Sequence, residues 1–141
     1  VPIIDVAPRV FKDYLITISD DDYAAAVSSF KLTPTTTIKN WKGGKPTAVA
    51  SDVSSPIWAG AIKLAQDWET EEGLTLYLFN HHGETVDAVF SPLGQAGPSF
   101  AVTLVLAAPE IGGDIDEWGE TTVNVGVVGA PVYAASTPAA V

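Results

Sequence analysis

The chain has no cysteine. Disulfides, thiolate catalysis and zinc sites with cysteine ligands are therefore outside its chemistry. Cations are scarce: 7 Lys and Arg stand against 17 Asp and Glu, for a formal net charge of −10. Nucleic acids and anionic membranes are held mainly through Lys and Arg. The balance argues against binding either, although it leaves DNA free to pass nearby without adhering. No apolar run approaches the roughly 18 residues that would span a bilayer. Charged residues of both signs make up only 17% of the chain, below the usual quarter of a soluble protein. So few charges suit a protein that buries much of its surface against copies of itself.

What is present is enough for a core. At 141 residues with 47% hydrophobic content, one domain is expected, stable without staples. Residues 1–12 hold Pro2 and Pro8, show no period and read as an N-terminal arm. Tyr14, Ile16 and Ile18 then alternate with Leu15, Thr17 and Ser19, which is the period of a strand. Asp20, Asp21 and Asp22 break it as an acidic turn. Tyr23 to Thr33 reads as a second, long strand, with Pro34 ending it or marking a sheet edge. Thr35 to Trp41 continues as a short strand. Residues 42–56 form a long irregular loop rich in Gly, Pro and Ser. Ile57 to Asp67 alternates again, with Trp58, Gly60, Ile62, Leu64 and Gln66 on one face.

One helix is expected, at about residues 70–82. Thr70 can cap it, Glu71 and Glu72 suit its first turn, and Gly83 suits a left-handed residue at its end. Leu74, Tyr77, Leu78 and His81 share a face at helical spacing. Three strands follow: Thr85 to Ser91, Ser99 to Ala107 and Thr121 to Val128. A second acidic loop separates the last two. Residues 130–141 are small and uncharged, and 133–141 are assigned to a C-terminal tail beyond a single domain over 13–132. Six or seven strands with one helix, and no βαβ rhythm, mean a mainly β, antiparallel sandwich or barrel with the helix packed on it.

Candidates for chemistry are weak. Adjacent helical residues point about 100° apart, so His81 and His82 are poorly placed to share a metal. Asp20–Asp22 lack the alternate spacing, Gly and distal Glu of a calcium loop. Gly43-Gly44 and Gly112-Gly113 read as turns rather than phosphate cradles. No catalytic, cofactor-binding or metal site is assigned, and no enzyme activity is expected. Trp58 and Trp68 suit packing, whereas Trp41 and Trp118 border loops and suit surface contacts.

The order of elements resembles the major tail tube proteins of long-tailed, siphophage-like bacteriophages. The resemblance is carried by Tyr23 through Pro34 (YAAAVSSFKLTP), by Trp58 through Trp68 (WAGAIKLAQDW) with the helix over 69–83, and by Thr85 through Pro92 (TVDAVFSP) with Ser99 through Leu106. The turn Ile111-Gly112-Gly113-Asp114 and the closing Val127-Val128-Gly129-Ala130-Pro131 complete it, so that residues 14–132 are covered. It implies a structural virion protein, assembled in the bacterial host cytoplasm into hexameric rings that stack as a tube. Its partners would be further copies, the tape-measure protein and other tail proteins, with DNA passing through the lumen and no membrane bound. Six copies would carry formally about −60 per ring, before screening. A lumen of that sign would repel phosphates. Some of its acids are expected on the polar faces of the long strands and in their flanking turns, and loop 42–56 and both terminal arms are expected to make ring-to-ring contacts.

Two rival readings stand beside this one. A β-sandwich binding module, decorating a virion or recognising carbohydrate, would use Trp41 or Trp118 as anchors. A small acid–base hydrolase would need paired carboxylates in a concave pocket, one with a raised pKa.

Overall fold

The computed structural model describes residues 1–19, 21–94 and 97–135. It is mainly β with one α-helix and antiparallel pairing throughout, as the sequence pattern requires. Strands β1 (Leu15–Ile18), β2 (Asp21–Asp22), β3 (Val27–Thr35), β6 (Ile57–Ala65), β7 (Thr85–Ser91), β8 (Ser99–Val105) and β9 (Glu120–Ala134) form one seven-stranded sheet in the order β2-β1-β7-β8-β9-β6-β3. A separate two-stranded hairpin pairs β4 (Ile38–Lys42) with β5 (Val49–Val53). The helix α1 is Leu74–Asn80.

The sheet order decides between sandwich and barrel. β2 and β3 are consecutive in the chain yet lie at opposite ends of the sheet. Five residue steps from Asp22 to Val27 reach at most on the order of 18 Å. The sheet must therefore curl until its two ends nearly meet. A 3-10 turn at Ala24–Ala26 bridges the seam, anchored where the Tyr23 N–H donates to the Ile16 carbonyl at 2.9 Å. Phe30 on β3 and Phe90 on β7 meet across the interior with ring centroids 4.6 Å apart. The result is a barrel left open along one seam, where β3 and β2 are free edges.

Period-2 patterning fills that barrel from every strand of the sheet except β2. Ile16 and Ile18, Phe30, Ile62 and Leu64, Ala88 and Phe90, Val102 and Leu104, and Val123 and Val125 are all buried in one cluster. α1 plugs one end with Leu74 and Leu78, both buried in that cluster. A helix of seven residues is too short to persist by propensity, so this packing holds it. Among the described residues no helix is long and apolar enough to cross a membrane.

Several elements depart from expectation. The helix is shorter than 70–82, because Asp67 captures the segment before it. Its carboxylate accepts from the Glu69 N–H, the Thr70 N–H and the Thr70 hydroxyl, at 3.1, 3.2 and 2.6 Å. Thr70 is thus a turn residue, Glu71 and Glu72 precede the helix, and extended Gly73 is its N-cap. Gly83 does adopt φ +84°, the left-handed conformation that costs glycine nothing. Tyr23–Ala26 belongs to the seam turn rather than to a long strand. Pro34 lies within β3, opposite Trp58, which an edge strand tolerates. The segment 42–56 is not irregular throughout, since it contains β5.

The last strand runs past Val128 to Ala134, into what reads as a tail. It does so through a bulge: Thr103 pairs with Val128 but Ala101 with Val132. The extra residues include Gly129 at φ +76° and Pro131, the residue types a bulge accepts. Of the acidic turn, Asp21 and Asp22 pair back onto β1, and Asp20 lies outside the described residues. So do positions 136–141 of the expected tail.

Candidate functional site

The two ends of the barrel differ, and β6 gives the axis between them. Its Ile57 lies opposite Thr35 at the end that carries the hairpin, and its Ala65 lies opposite Glu120 at the end that carries α1. The eight steps along this nine-residue strand separate these ends by about 26 Å.

Most carboxylates gather at the α1 end. Segments 67–72 and 110–120 flank the β6–β9 pair there, and Gln66 ties them together. Its side-chain amide donates to the Gly112 carbonyl at 2.8 Å, its Oε1 accepts from the Gly112 N–H at 3.0 Å, and its backbone N–H donates to the Gly119 carbonyl at 2.6 Å. The outer faces of the long strands are a different matter. They present Ser29, Lys31 and Thr33 on β3, Ala59, Ala61 and Lys63 on β6, and Thr122, Asn124 and Gly126 on β9. Lys63 pairs with Glu120 at 3.5 Å, both half-exposed. Glu120 opens β9 and Asp87 is exposed on β7, while most other carboxylates lie in turns and loops.

The hairpin end is basic and apolar. The segment 38–53 holds Lys39, Lys42 and Lys45 against Asp52 alone. All ten residues of β4 and β5 are exposed, including Ile38, Trp41, Val49 and Val53. Beneath it the barrel is open. A cavity of about 240 Å³ is lined by Leu32, Trp58, Phe90, Phe100 and Pro131. Trp58 forms one wall of this mouth, and its Nε1–H is buried and finds no acceptor among the described residues. A larger cleft of about 480 Å³ follows the seam between Phe11–Tyr14 and Ala24–Ser28.

The candidates from sequence are now placed. His81 follows the last helical turn and pairs through Nδ1 with the Glu84 carboxylate. His82 instead accepts the Ala108 N–H on its Nδ1 at 2.9 Å. The two rings have separate partners, and among the described residues no group of three or more His, Asp or Glu is arranged to hold a metal. Asp22 caps the seam turn by accepting the Ala24 N–H at 3.0 Å. Asp67 is held below the usual carboxylate range by the Thr70 hydroxyl first, then by the Thr70 and Glu69 N–H groups. That is the opposite of a general acid. Tyr23 is pushed up by burial and then by the charge of Asp21.

Trp68 donates to the Gln66 Oε1 at 3.2 Å and stacks edge-on against Phe79. Trp41 and Trp118 are 64% and 91% exposed, as surface contacts require, but they sit at opposite ends of the barrel. Sequence reasoning missed the mouth, because five residues from four strands and a bulge compose it. It missed β5 because neither face of the hairpin is buried.

No protein-family model matches the sequence, and no curated protein matches it. Solved structures do share the fold. A chain from the virion of a native gene transfer agent particle superposes with a TM-score of 0.65 at 11% identity, over 91% of this chain and 100% of that one. A chain from the tail of an empty gene transfer agent particle with C6 symmetry gives 0.65 at 9% identity, again over 91% and 100%. A chain from the baseplate of the anti-feeding prophage, 6-fold symmetrised, gives 0.59 at 10% identity, over 93% and 98%. The chain thus has the fold of subunits found in phage-tail-like particles.

Proposed function

We propose that this protein is a structural virion subunit, the major tail tube protein of a siphophage-like particle, and that it is not an enzyme. Copies assemble into hexameric rings, the rings stack, and the tube surrounds a tape-measure protein and later conducts DNA. Its home is the virion tail, built in the host cytoplasm.

The observation that carries this reading is the surface the single subunit leaves without a partner. A two-stranded hairpin is marginal alone, yet β4–β5 packs none of its ten exposed residues on the barrel. The barrel also keeps two free edges, β2 and β3, which are liabilities in an isolated chain and joints in an assembly. Ala59 and Ala61, with Thr122, Asn124 and Gly126, make a flat outer face of small side chains suited to close lateral packing. The likeness to a chain of a C6-symmetric tail supports six copies per ring. Acids on the long strands and in their flanking turns, among them Asp87 and Glu120, are the source of an acidic lumen. The hairpin and the arm over residues 1–12 make the contacts between rings.

A carbohydrate-binding module fits less well. The length of the barrel separates Trp41 from Trp118, so such a module would have to rely on either one singly.

Negative-stain electron microscopy of the purified protein, concentrated and incubated for days, tests the proposal. Hollow tubes or stacked six-membered rings are expected. Particles that stay monomeric at every concentration, and also when seeded with purified tail tips, would overturn it.

A further inference from the structure

The inference concerns what the hairpin end docks onto, and it rests on the reading that copies stack in series. The loop over residues 108–119 mirrors the hairpin in two independent respects. It holds Glu110, Asp114, Asp116 and Glu117 with no cation, against the lysines of the hairpin. It also exposes Ile111, Ile115 and Trp118, against the exposed apolar side chains of β4 and β5. The two surfaces lie at opposite ends of β6, so they cannot meet within one chain. The mouth adds a third feature. It is an apolar cavity of about 240 Å³. A loop carrying an exposed isoleucine and tryptophan supplies the filling.

We propose that loop 108–119 of one subunit seats on the hairpin end of the next subunit in series. Ile115 or Trp118 enters the mouth, and Lys39, Lys42 and Lys45 face the carboxylates of that loop. The contact joins unlike surfaces on identical chains, so it propagates rather than closes. Because part of the attraction is between exposed charges, stacking weakens as salt rises.

Charge exchange tests this directly. One variant carries K39E, K42E and K45E in the hairpin, and the other E110K, D114K and E117K in the loop. All six positions are on exposed segments, and circular dichroism checks that each variant folds. Each variant alone repels its own copies and is expected to form no stacks by sedimentation and electron microscopy. A 1:1 mixture restores complementarity and is expected to stack. Trp118→Ala, which leaves the charge unchanged, is expected to raise the concentration needed for stacking at least tenfold.

Either variant stacking alone like the unaltered chain overturns the inference, and so does a mixture that stays dispersed. Loss of stacking on removal of residues 1–12, with both charge variants stacking normally, would place the arm in the mouth and also overturn it. If the unaltered chain never forms tubes while the mixture still associates pairwise, the docking stands and the tube reading falls.

Discussion

Thr75 provides a sharp test of how the barrel is closed at its α1 end. The residue is 1% exposed and lies in the first turn of a helix too short to stand alone. Its hydroxyl donates to the Ala65 carbonyl at 3.2 Å and accepts the Asp67 N–H at 3.1 Å, stitching the helix to the end of β6. Thr75→Val keeps the shape and removes both bonds. Both bonds are partly buried, so the Ala65 carbonyl and the Asp67 N–H regain only part of what they lose from water. The expected loss is about 1–2 kcal/mol, or roughly 5 °C in Tm for a domain of this size. Thr75→Ala also removes a buried methyl and costs about 1 kcal/mol more. Thermal and urea unfolding at concentrations below assembly measure both. If Thr75→Val is as stable as the unaltered chain or more so, the hydroxyl bonds contribute nothing and the plug is held by packing alone.

Three further outcomes follow from the geometry. Asp67 has a lowered native pKa, so its stabilisation is fully present above pH 3.8 and is lost as pH falls through the native value. The gap in Tm between the unaltered chain and Asp67→Ala should therefore shrink below pH 3.8, and a gap unchanged down to pH 2 would show that the carboxylate charge is irrelevant. Tyr23 has a raised native pKa, so its contribution is present below pH 10.0 and is lost as pH rises through the native value. Urea unfolding between pH 9 and 11 should show the unaltered chain losing stability relative to Tyr23→Phe. Replacing residues 38–53 by a short glycine linker should leave the Tm within about 2 °C, since exposed surface contributes little, while abolishing stacking. A large fall in Tm would mean that the hairpin belongs to the folding unit.

What could be read from the sequence follows from which surfaces are buried. β7 begins and ends where alternation places it, because one face is packed and β-branched residues mark it. The inward sets of β6 and β8 are correct for the same reason. Alternation fails as a guide where burial ceases. β5 has no buried face, and β9 beyond Val128 crosses a bulge that shifts the register. The helix start is misread because Thr70 with Glu71 and Glu72 is a sound cap signal locally. The nearby Asp67 carboxylate instead takes the Thr70 hydroxyl together with the Glu69 and Thr70 N–H groups, and only its position just past the end of β6 makes that possible. The mouth is invisible in any linear pattern, since Leu32, Trp58, Phe90, Phe100 and Pro131 converge only when the sheet curls. Trp41 and Trp118 were legible as surface residues, but their separation along the barrel was not.

A barrel stoppered by a helix at one end and open at the other makes the molecule an arrow. Any finite series of arrows displays one head and one tail, and here these are chemically unlike: lysines around an aromatic opening, and carboxylates around a closed dome. No single terminator can serve both. Whatever starts such a filament must offer the complement of one surface, and whatever finishes it must offer the complement of the other. In the series proposed above, the polarity of the filament is thereby set by the fold of a single subunit.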